Sequence, residues 1–372
     1  MSPVSEVQTS RMDKRAALET LLAAAIKAPS GDNLQPWRFV LDAEASRITL
    51  YVDETRDPSP MNAGQRMSRI AVGAALENIL RSASSRGWIV ELEDPVEPAL
   101  AAVRLGSFDG HGQEDSAITR RVTNRRAYDR RPIPPDVLER LQEQTPDFEG
   151  VRTHWICDRA RLDRLADLVA RADAMMFGQP SMRQAFLENI RFDQPWDTEV
   201  EEGLSIASLE LALVDRLALR MLRYVPDWLF KLAGLSRKFG ATARRQIASS
   251  SGLCVIACRN STRQVDIAVG RAMQRAWLGI AADGLAAQPM MSLAVLENVL
   301  SAGGPPLLAA LGGEKALALL QQFRNILPDS GEGKLGFIMR FGFAPPPTAR
   351  TRRLHLPATD PSWVQAARRQ AT

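Results

Sequence analysis

The strongest constraint on this chain is that it repeats itself. Residues 70–77 read IAVGAALE and residues 267–274 read IAVGRAMQ, so Ile70, Ala71, Val72 and Gly73 recur as Ile267, Ala268, Val269 and Gly270, 197 residues later. In the same register Ala75 matches Ala272 and Gly87 matches Gly284. Four matching neighbours can arise by chance in an alanine-rich chain, but matches that continue in register to a stop-glycine point to duplication. Both copies read as helices with small residues on one face and a glycine suited to the C-cap. The period far exceeds the ~20–50 residues of a solenoid unit, so the expectation is two fused copies facing each other as a pseudo-dimer. A length of 372 residues suits two such core-forming units.

The other elements follow the same order twice. Ala17–Lys27 reads as a helix that stops at APSGDNLQPW, residues 28–37, and Arg38–Val40 and Ile48–Asp53 read as strands joined by DAEAS. Later, a helix opens after Pro134 and Pro135, Val151–Asp158 reads as a strand, and a helix runs from Leu162. Gly252–Cys258 is an apolar strand before the second IAVG helix, and Gly333–Phe343 closes the series. Between Met175 and Ser251 the copies do not correspond. That stretch, rich in Leu, Met and Arg at helical spacing, reads as an insertion, either a packing extension or a lid over a ligand. The expected organisation is α+β: a first repeat over 14–110, and a second over 118–356 with a helical insertion at about 175–251.

Composition narrows the function classes. A net charge of +4 is too weak a basic excess to indicate nucleic-acid binding. No uninterrupted apolar run reaches the ~18 residues of a membrane span; the most apolar region, Leu209–Leu235, is broken by charges from Glu210 to Lys231. The N-terminus has no apolar core of signal-peptide type, and three cysteines are too few for a disulfide scaffold, so the expected home is the cytoplasm. No nucleic acid, no membrane and a monomer are expected, with a small molecule as the partner. His111, His154 and His355 lie far apart without HxH or HExxH spacing, so no metal site is expected. Cys254 and Cys258 read as small core residues on one face of a strand.

Three stretches carry chemistry. In APSGDNLQPW, Pro29 and Pro36 fix φ while Ser30, Asp32, Asn33 and Gln35 crowd polar groups around Gly31; a capped turn accounts for the polar residues but not for the Gln-Pro-Trp that follows. TRRVTNRRAYDRR, residues 119–131, holds six arginines around Thr123 and Asn124. Guanidinium forks beside a hydroxyl suit a phosphate monoester, and a solvated basic linker is the plainer reading. A nucleic-acid contact has only Tyr128 available for stacking. GLAAQPMMSL, residues 284–293, reads as a tight turn at Pro289 that can aim backbone N–H groups at a ligand, although such a turn is non-specific and methionines like Met290 and Met291 are more often core than ligand contacts.

Together the APSGDNLQPWRF, RxTNR and GLAAQPMMSL blocks resemble segments of the nitroreductase family, and the chain looks like its tandem-repeat, Acg-like branch from about Lys14 to Leu356. The resemblance implies a nitroreductase-like α+β fold with FMN held between the two copies. It carries Arg121, Thr123 and Arg125, with Asn124 adjacent, to the ribityl phosphate, and Pro29, Ser30 and Asn33 to the loop beside the flavin ring. The backbone N–H of Met291 would face flavin N5, with Pro289, Met290 and Ser292 as neighbours, and Arg352 or Arg353 would reach the phosphate. The first repeat has the loop but no arginine segment. The second has the arginines but TPDFEG, Thr145–Gly150, in place of the loop. Pairing one repeat's loop with the other's arginines makes a single complete pocket, hence one FMN per chain. The implied function is an FMN-dependent oxidoreductase that reduces an electron-poor organic acceptor with NAD(P)H, without a catalytic side chain of its own. The alternative is a protein that sequesters flavin with little turnover, its insertion closed over the ring. A flavin-free interaction protein that keeps only the fold is the third reading.

Overall fold

The computed structural model describes residues 3–354 apart from 109, 111, 196–197, 303–310 and 328–332, and for residues 3–13 the backbone only. His111 and His355 lie outside the described residues. Helix α1 (Pro3–Ala25) leads into the hairpin of β1 (Trp37–Asp42) and β2 (Arg47–Val52), in register from Trp37↔Val52 to Asp42↔Arg47. Helix α2 (Arg66–Arg86), β3 (Val90–Glu93) and β4 (Ala101–Leu105) complete an antiparallel sheet of order β1-β2-β4-β3. Then come α3 (Ser116–Arg120), α4 (Pro135–Glu143), β5 (Val151–Ile156), α5 (Arg159–Gly178), α6 (Pro180–Glu188), α7 (Leu213–Leu222), α8 (Asp227–Leu232) and α9 (Leu235–Ala248). The last described elements are β6 (Gly252–Cys258), α10 (Arg263–Ala282), β7 (Ala286–Pro289), α11 (Ser292–Ala302), α12 (Gly313–Arg324) and β8 (Lys334–Gly342).

The second sheet has the order β5-β6-β8-β7, again antiparallel throughout. Both sheets thus use the same permutation, and α2 and α10 occupy the same place in the chain order of their halves. Each of these helices ends before a left-handed glycine, Gly87 at φ 73 and Gly284 at φ 72, where a Cβ would be strained.

The two repeat helices pack face to face. Their small residues allow close approach: a Cβ on Gly73 would lie 2.2 Å from the carbonyl oxygen of Ile267. Ile70, Val72, Ile79, Val269, Ala276 and Ile280 share one buried core with strand residues of both sheets. Charges inside this seam are paired, as burial requires. Arg66 and Asp266, both buried, meet at 3.0 Å, Arg69 adds a second contact to Asp266 at 2.7 Å, and Glu77 receives Arg271 and Arg275. The amide of Gln274 donates to Asn78 at 2.7 Å. One core and one buried polar network therefore bind the halves into a unit.

Several element boundaries differ from expectation for local reasons. Helix α1 starts at Pro3 rather than Ala17. Helix α5 starts at Arg159, three residues before Leu162, because the Asp158 carboxylate caps it by accepting from Arg161 N at 2.8 Å. Pro289 closes strand β7 instead of sitting in a turn; it is the last residue of the edge strand of its sheet, a position where proline is tolerated. The segment between α5 and β6 is not one appendage. Helix α9 packs so closely on α5 that a Cβ on Gly240 would lie 2.3 Å from the Ala170 carbonyl oxygen, and Ala243 and Ile247 join the core of the second half. The stretch before it has its own cluster, with Leu187, Ile190, Phe192, Leu204 and Leu219 at its centre.

Candidate functional site

A cavity of about 1040 Å³ lies between the halves, walled by the loop after α1, the arginine segment, the β7–α11 junction and the inserted helices. That size is at the upper end of the ~300–1,000 Å³ usual for ligand sites. Ile70 and Ala71 of α2 and Met273 and Trp277 of α10 form its inner wall.

The loop after α1 is held in an unusual backbone form. Asp32, Asn33 and Gln35 all have left-handed φ values, 44°, 59° and 53°. Asn and Asp tolerate that region, while Gln does so only when its surroundings enforce it. Here Gln35 N donates to Ser30 Oγ at 2.9 Å, Gln35 Nε2 donates to Glu201 O at 2.7 Å, and Gln35 Oε1 accepts from Leu354 N at 3.0 Å. The Asn33 amide donates to Glu201 O and Arg352 O and accepts from Arg353 Nη1 at 2.7 Å. The loop is thus strapped by the insertion on one side and by the C-terminal segment on the other. Pro29, Ser30 and Asn33 all line the cavity.

Opposite lies the arginine segment, fixed to β7 by a parallel bridge from Thr123 to Ala287 and by Asn124 N donating to Ala287 O at 2.9 Å. Arg121 is buried with its guanidinium 4.7 Å from the centre of the Trp277 ring; one Nη donates to Lys27 O, and its Nε has no partner. Burial and the charges of Arg353 and Arg350 push Arg121 down to about 9. Burial likewise holds Arg353 at about 10. Among the described residues no carboxylate forms an ion pair with Arg121, Arg125, Arg350 or Arg353, and all four line the cavity. Cations gathered against their own repulsion, one with a buried unpartnered donor, form a site prepared for an anion.

The third wall is the β7–α11 junction. The amide of Met290 is already bound to Ile338 O at 2.8 Å, so it is not free for a ligand. Met291 follows at the N-terminal end of α11, where helix geometry leaves amides without intrahelical acceptors. Pro289, Met290, Met291 and Ser292 all line the cavity.

Acidic groups share the cavity with the arginines. Burial raises Asp57 to about 6, and burial raises Asp173 to about 7, opposed there by the Ser292 hydroxyl. Burial also raises Asp32, against a hydrogen bond from Asn189 Nδ2 at 2.9 Å and the charge of Arg125. The cavity therefore combines arginines without ion pairs and carboxyls that burial holds toward their neutral form.

Of the residues singled out from sequence, Pro29, Ser30, Asn33, Arg121, Thr123 and Arg125 come together on this cavity with Pro289, Met290, Met291, Ser292 and Arg353. Asn124 and Arg352 do not. Asn124 is buried behind the wall, where its amide donates to Pro345 O at 2.8 Å and its carbonyl accepts from Tyr128. Arg352 points outward and pairs with Glu199 at 2.9 Å. The sequence reading missed Trp277, Arg350, Asp57 and Asp173 in the wall. Trp277 was within reach, since it follows the second IAVG segment on the inward face of α10. Also missed was Arg340, fully buried, which donates to Gln288 Oε1, Gln246 O and Arg126 O at 2.8 Å each and ties β8, α9 and the arginine segment together. The counterpart loop, Thr145–Gly150, contributes nothing to this cavity among the described residues; its Phe148 ring lies against Arg271 and Arg275, the partners of Glu77. No group of three His, Cys, Asp or Glu among the described residues is placed to hold a metal, and no described helix is long and apolar enough to cross a membrane.

No family model matches the chain. An uncharacterized protein of Mycobacterium tuberculosis is 29% identical over 348 residues, 90% of this chain and 47% of that protein. A protein of the same organism provisionally named NAD(P)H nitroreductase acg is 27% identical over 158 residues, 40% of this chain and 44% of its own length. The chain spans about half the length of the curated relatives it matches. Among solved structures, a nitroreductase with bound FMN from Bacteroides fragilis is 15% identical, with a TM-score of 0.34 over 65% of this chain and 94% of that one. The FMN-dependent nitroreductase NfnB from Mycobacterium smegmatis, solved in complex with NADPH, is 18% identical, with a TM-score of 0.32 over 62% of this chain and 86% of its own. The resemblance to nitroreductases drawn from the three motifs thus extends to a curated relative by sequence.

Proposed function

We propose that the chain is an FMN-dependent oxidoreductase of nitroreductase type, holding one FMN in the cavity between its repeats. The observation that carries this reading is the convergence of one repeat's loop and the other repeat's arginines on one cavity. The residues fit the group. The arginine cluster, which forms no ion pair among the described residues, and the unpartnered Nε of Arg121 suit a phosphate dianion. The apolar wall of Ile70, Ala71 and Met273 suits a flat ring system.

Bound FMN would supply the redox chemistry, accepting hydride at N5 from a reduced nicotinamide and passing two electrons to an electron-poor organic acceptor. The chain's own part is placement and field. Arg121, Arg350 and Arg353 hold the phosphate and fix the depth of the ligand, with Arg125 and Thr123 beside them. Pro29, Ser30 and Asn33 edge the ring from the strapped loop. Met291, at the positive end of α11, presents a backbone donor to whichever ring atom gains electron density. Neither Asn124 nor Arg352 touches the ligand; Asn124 shapes the arginine segment from behind.

Incubation with excess FMN, desalting and a visible spectrum test the proposal. About one flavin per chain supports it; a colourless protein overturns it. Roofing of the cavity by inserted residues from Phe177 to Gln246 favours a second reading, in which flavin is held with little turnover. Stopped-flow mixing with NADPH separates the two: rapid bleaching supports the reductase, and a flavin that stays oxidised supports sequestration.

A further inference from the structure

Helices α7 and α8 expose an apolar surface that no described residue covers. Of twelve large hydrophobic side chains exposed among the described residues, eight lie between Leu213 and Leu232. Leu213, Val214, Leu217 and Met221 repeat along one face of α7, and Trp228 and Leu232 continue the surface on α8, with Leu217 64% and Trp228 66% exposed. The opposite faces are buried, Leu219 in the cluster of the insertion and Phe230 under Arg183. Single exposed hydrophobics are ordinary, but a contiguous patch of this extent marks a contact surface.

The charges around the patch indicate its partner. Residues 212–238 hold six cations, Arg216, Arg220, Arg223, Lys231, Arg237 and Lys238, against Asp215 and Asp227. Among the described residues, Arg220, Arg223, Arg237 and Lys238 form no ion pair. Tyr224 and Trp228, both exposed, are the side chains that settle at a membrane–water boundary. Two short amphipathic helices with apolar outer faces, interfacial aromatics and unneutralised cations have the composition of an element that lies in a lipid headgroup layer. A second copy of the chain would bring the same cations together, and their repulsion opposes pairing across this face. That no described helix is long and apolar enough to cross a membrane does not bear on this, since lying on a bilayer and crossing it are different states.

We infer that α7 and α8 dock the protein on an anionic lipid surface. The inner residues of α7, Leu219 and Leu222, line the cavity, so docking brings the cavity wall to the bilayer.

The full chain, mixed with vesicles of phosphatidylcholine alone or with about one third phosphatidylglycerol, should float with the anionic vesicles only, and raised salt should release it. Leu217→Glu/Trp228→Glu should reduce partitioning at least ~10-fold with the melting curve unchanged. Arg220→Glu/Arg237→Glu should do the same without touching the apolar face. FMN stoichiometry should stay constant in both, which separates failure of docking from failure of the flavin reading. Flotation with neither vesicle overturns the proposal. So does binding that survives both double variants, equal binding to neutral vesicles, or a dimer by sedimentation that Leu217→Glu/Trp228→Glu abolishes.

Discussion

Gly73 and Gly270 occupy equivalent places in the two repeats and touch each other: a Cβ on Gly270 would lie 2.9 Å from the Cα of Gly73 and 2.0 Å from the carbonyl oxygen of Ile70. The reverse contact, from Gly73 to Ile267, is nearly as close at 2.2 Å. Ile70 and Ile267 are themselves equivalent, so the pairing is reciprocal, as it must be about a two-fold axis. The obstructing atoms are backbone and cannot rotate away. Gly270→Ala should therefore push the helices apart and destabilise the chain by about 1–3 kcal/mol, as overpacking does. Gly284→Ala meets nothing within 4 Å and carries only the strain of its φ of 72°, about 1 kcal/mol. Thermal melting of the two variants checks the order; a smaller drop for Gly270→Ala would refute the close-packed dyad.

Arg121 should dominate flavin affinity. It is buried, lacks a carboxylate partner among the described residues, and has one unpartnered N–H. Arg121→Gln should weaken FMN binding ~10–100-fold, the range for losing a charge-assisted hydrogen bond. Arg352→Gln, turned outward against Glu199, should stay within about two-fold of the parent. Because the Arg121 guanidinium is held down to about 9 before ligand arrives, FMN affinity should decline as pH rises past that value. Fluorescence titration across pH measures both effects.

How much of this was readable beforehand depends on whether the information is local. The IAVG repeat exposed the pseudo-dimer because helix pairing through glycine demands particular residues at particular spacings, and the matched sheet permutation follows from the same duplication. The three motif blocks met on one cavity because each carries its turn chemistry in a few adjacent residues. Orientation was not local. Whether Arg352 or Arg353 faces inward is set by Glu199 and Asn33, each more than a hundred residues away. Asn124 was drawn behind the wall by Pro345 O. The inserted helices have no copy against which to be read, and Asp57 and Asp173 look like any surface carboxylates until burial raises them.

Gln35 should control how long ligand stays. Its side chain joins the loop to Glu201 O and Leu354 N, so it couples the insertion, the C-terminal segment and the cavity edge. Gln35→Ala removes both straps and leaves a residue poorly suited to a φ of 53°. FMN release should quicken by an order of magnitude or so, the scale of two hydrogen bonds at ~0.5–1.5 kcal/mol each. Dilution kinetics followed by recovery of free-flavin fluorescence report it, and an unchanged release rate would show that the straps do not hold the site.

Asp173 and Asp57 make the stability of the ligand-free protein fall with rising pH. Their folded carboxyls titrate near 7 and 6, against 3.8 as the ordinary value. Below pH ~4 both groups are protonated in either state and contribute nothing to the slope. Between there and about 7 the unfolded chain releases protons that the folded chain retains, so unfolding becomes progressively easier; above about 7 the effect levels off. Asp173→Asn removes the larger share by keeping the group neutral throughout. Urea unfolding at several pH values should show the parent losing stability from about pH 4.5 to 7 and Asp173→Asn losing clearly less. Parallel curves for the two proteins would mean that Asp173 is not desolvated in the cavity wall and ionises there as freely as in water.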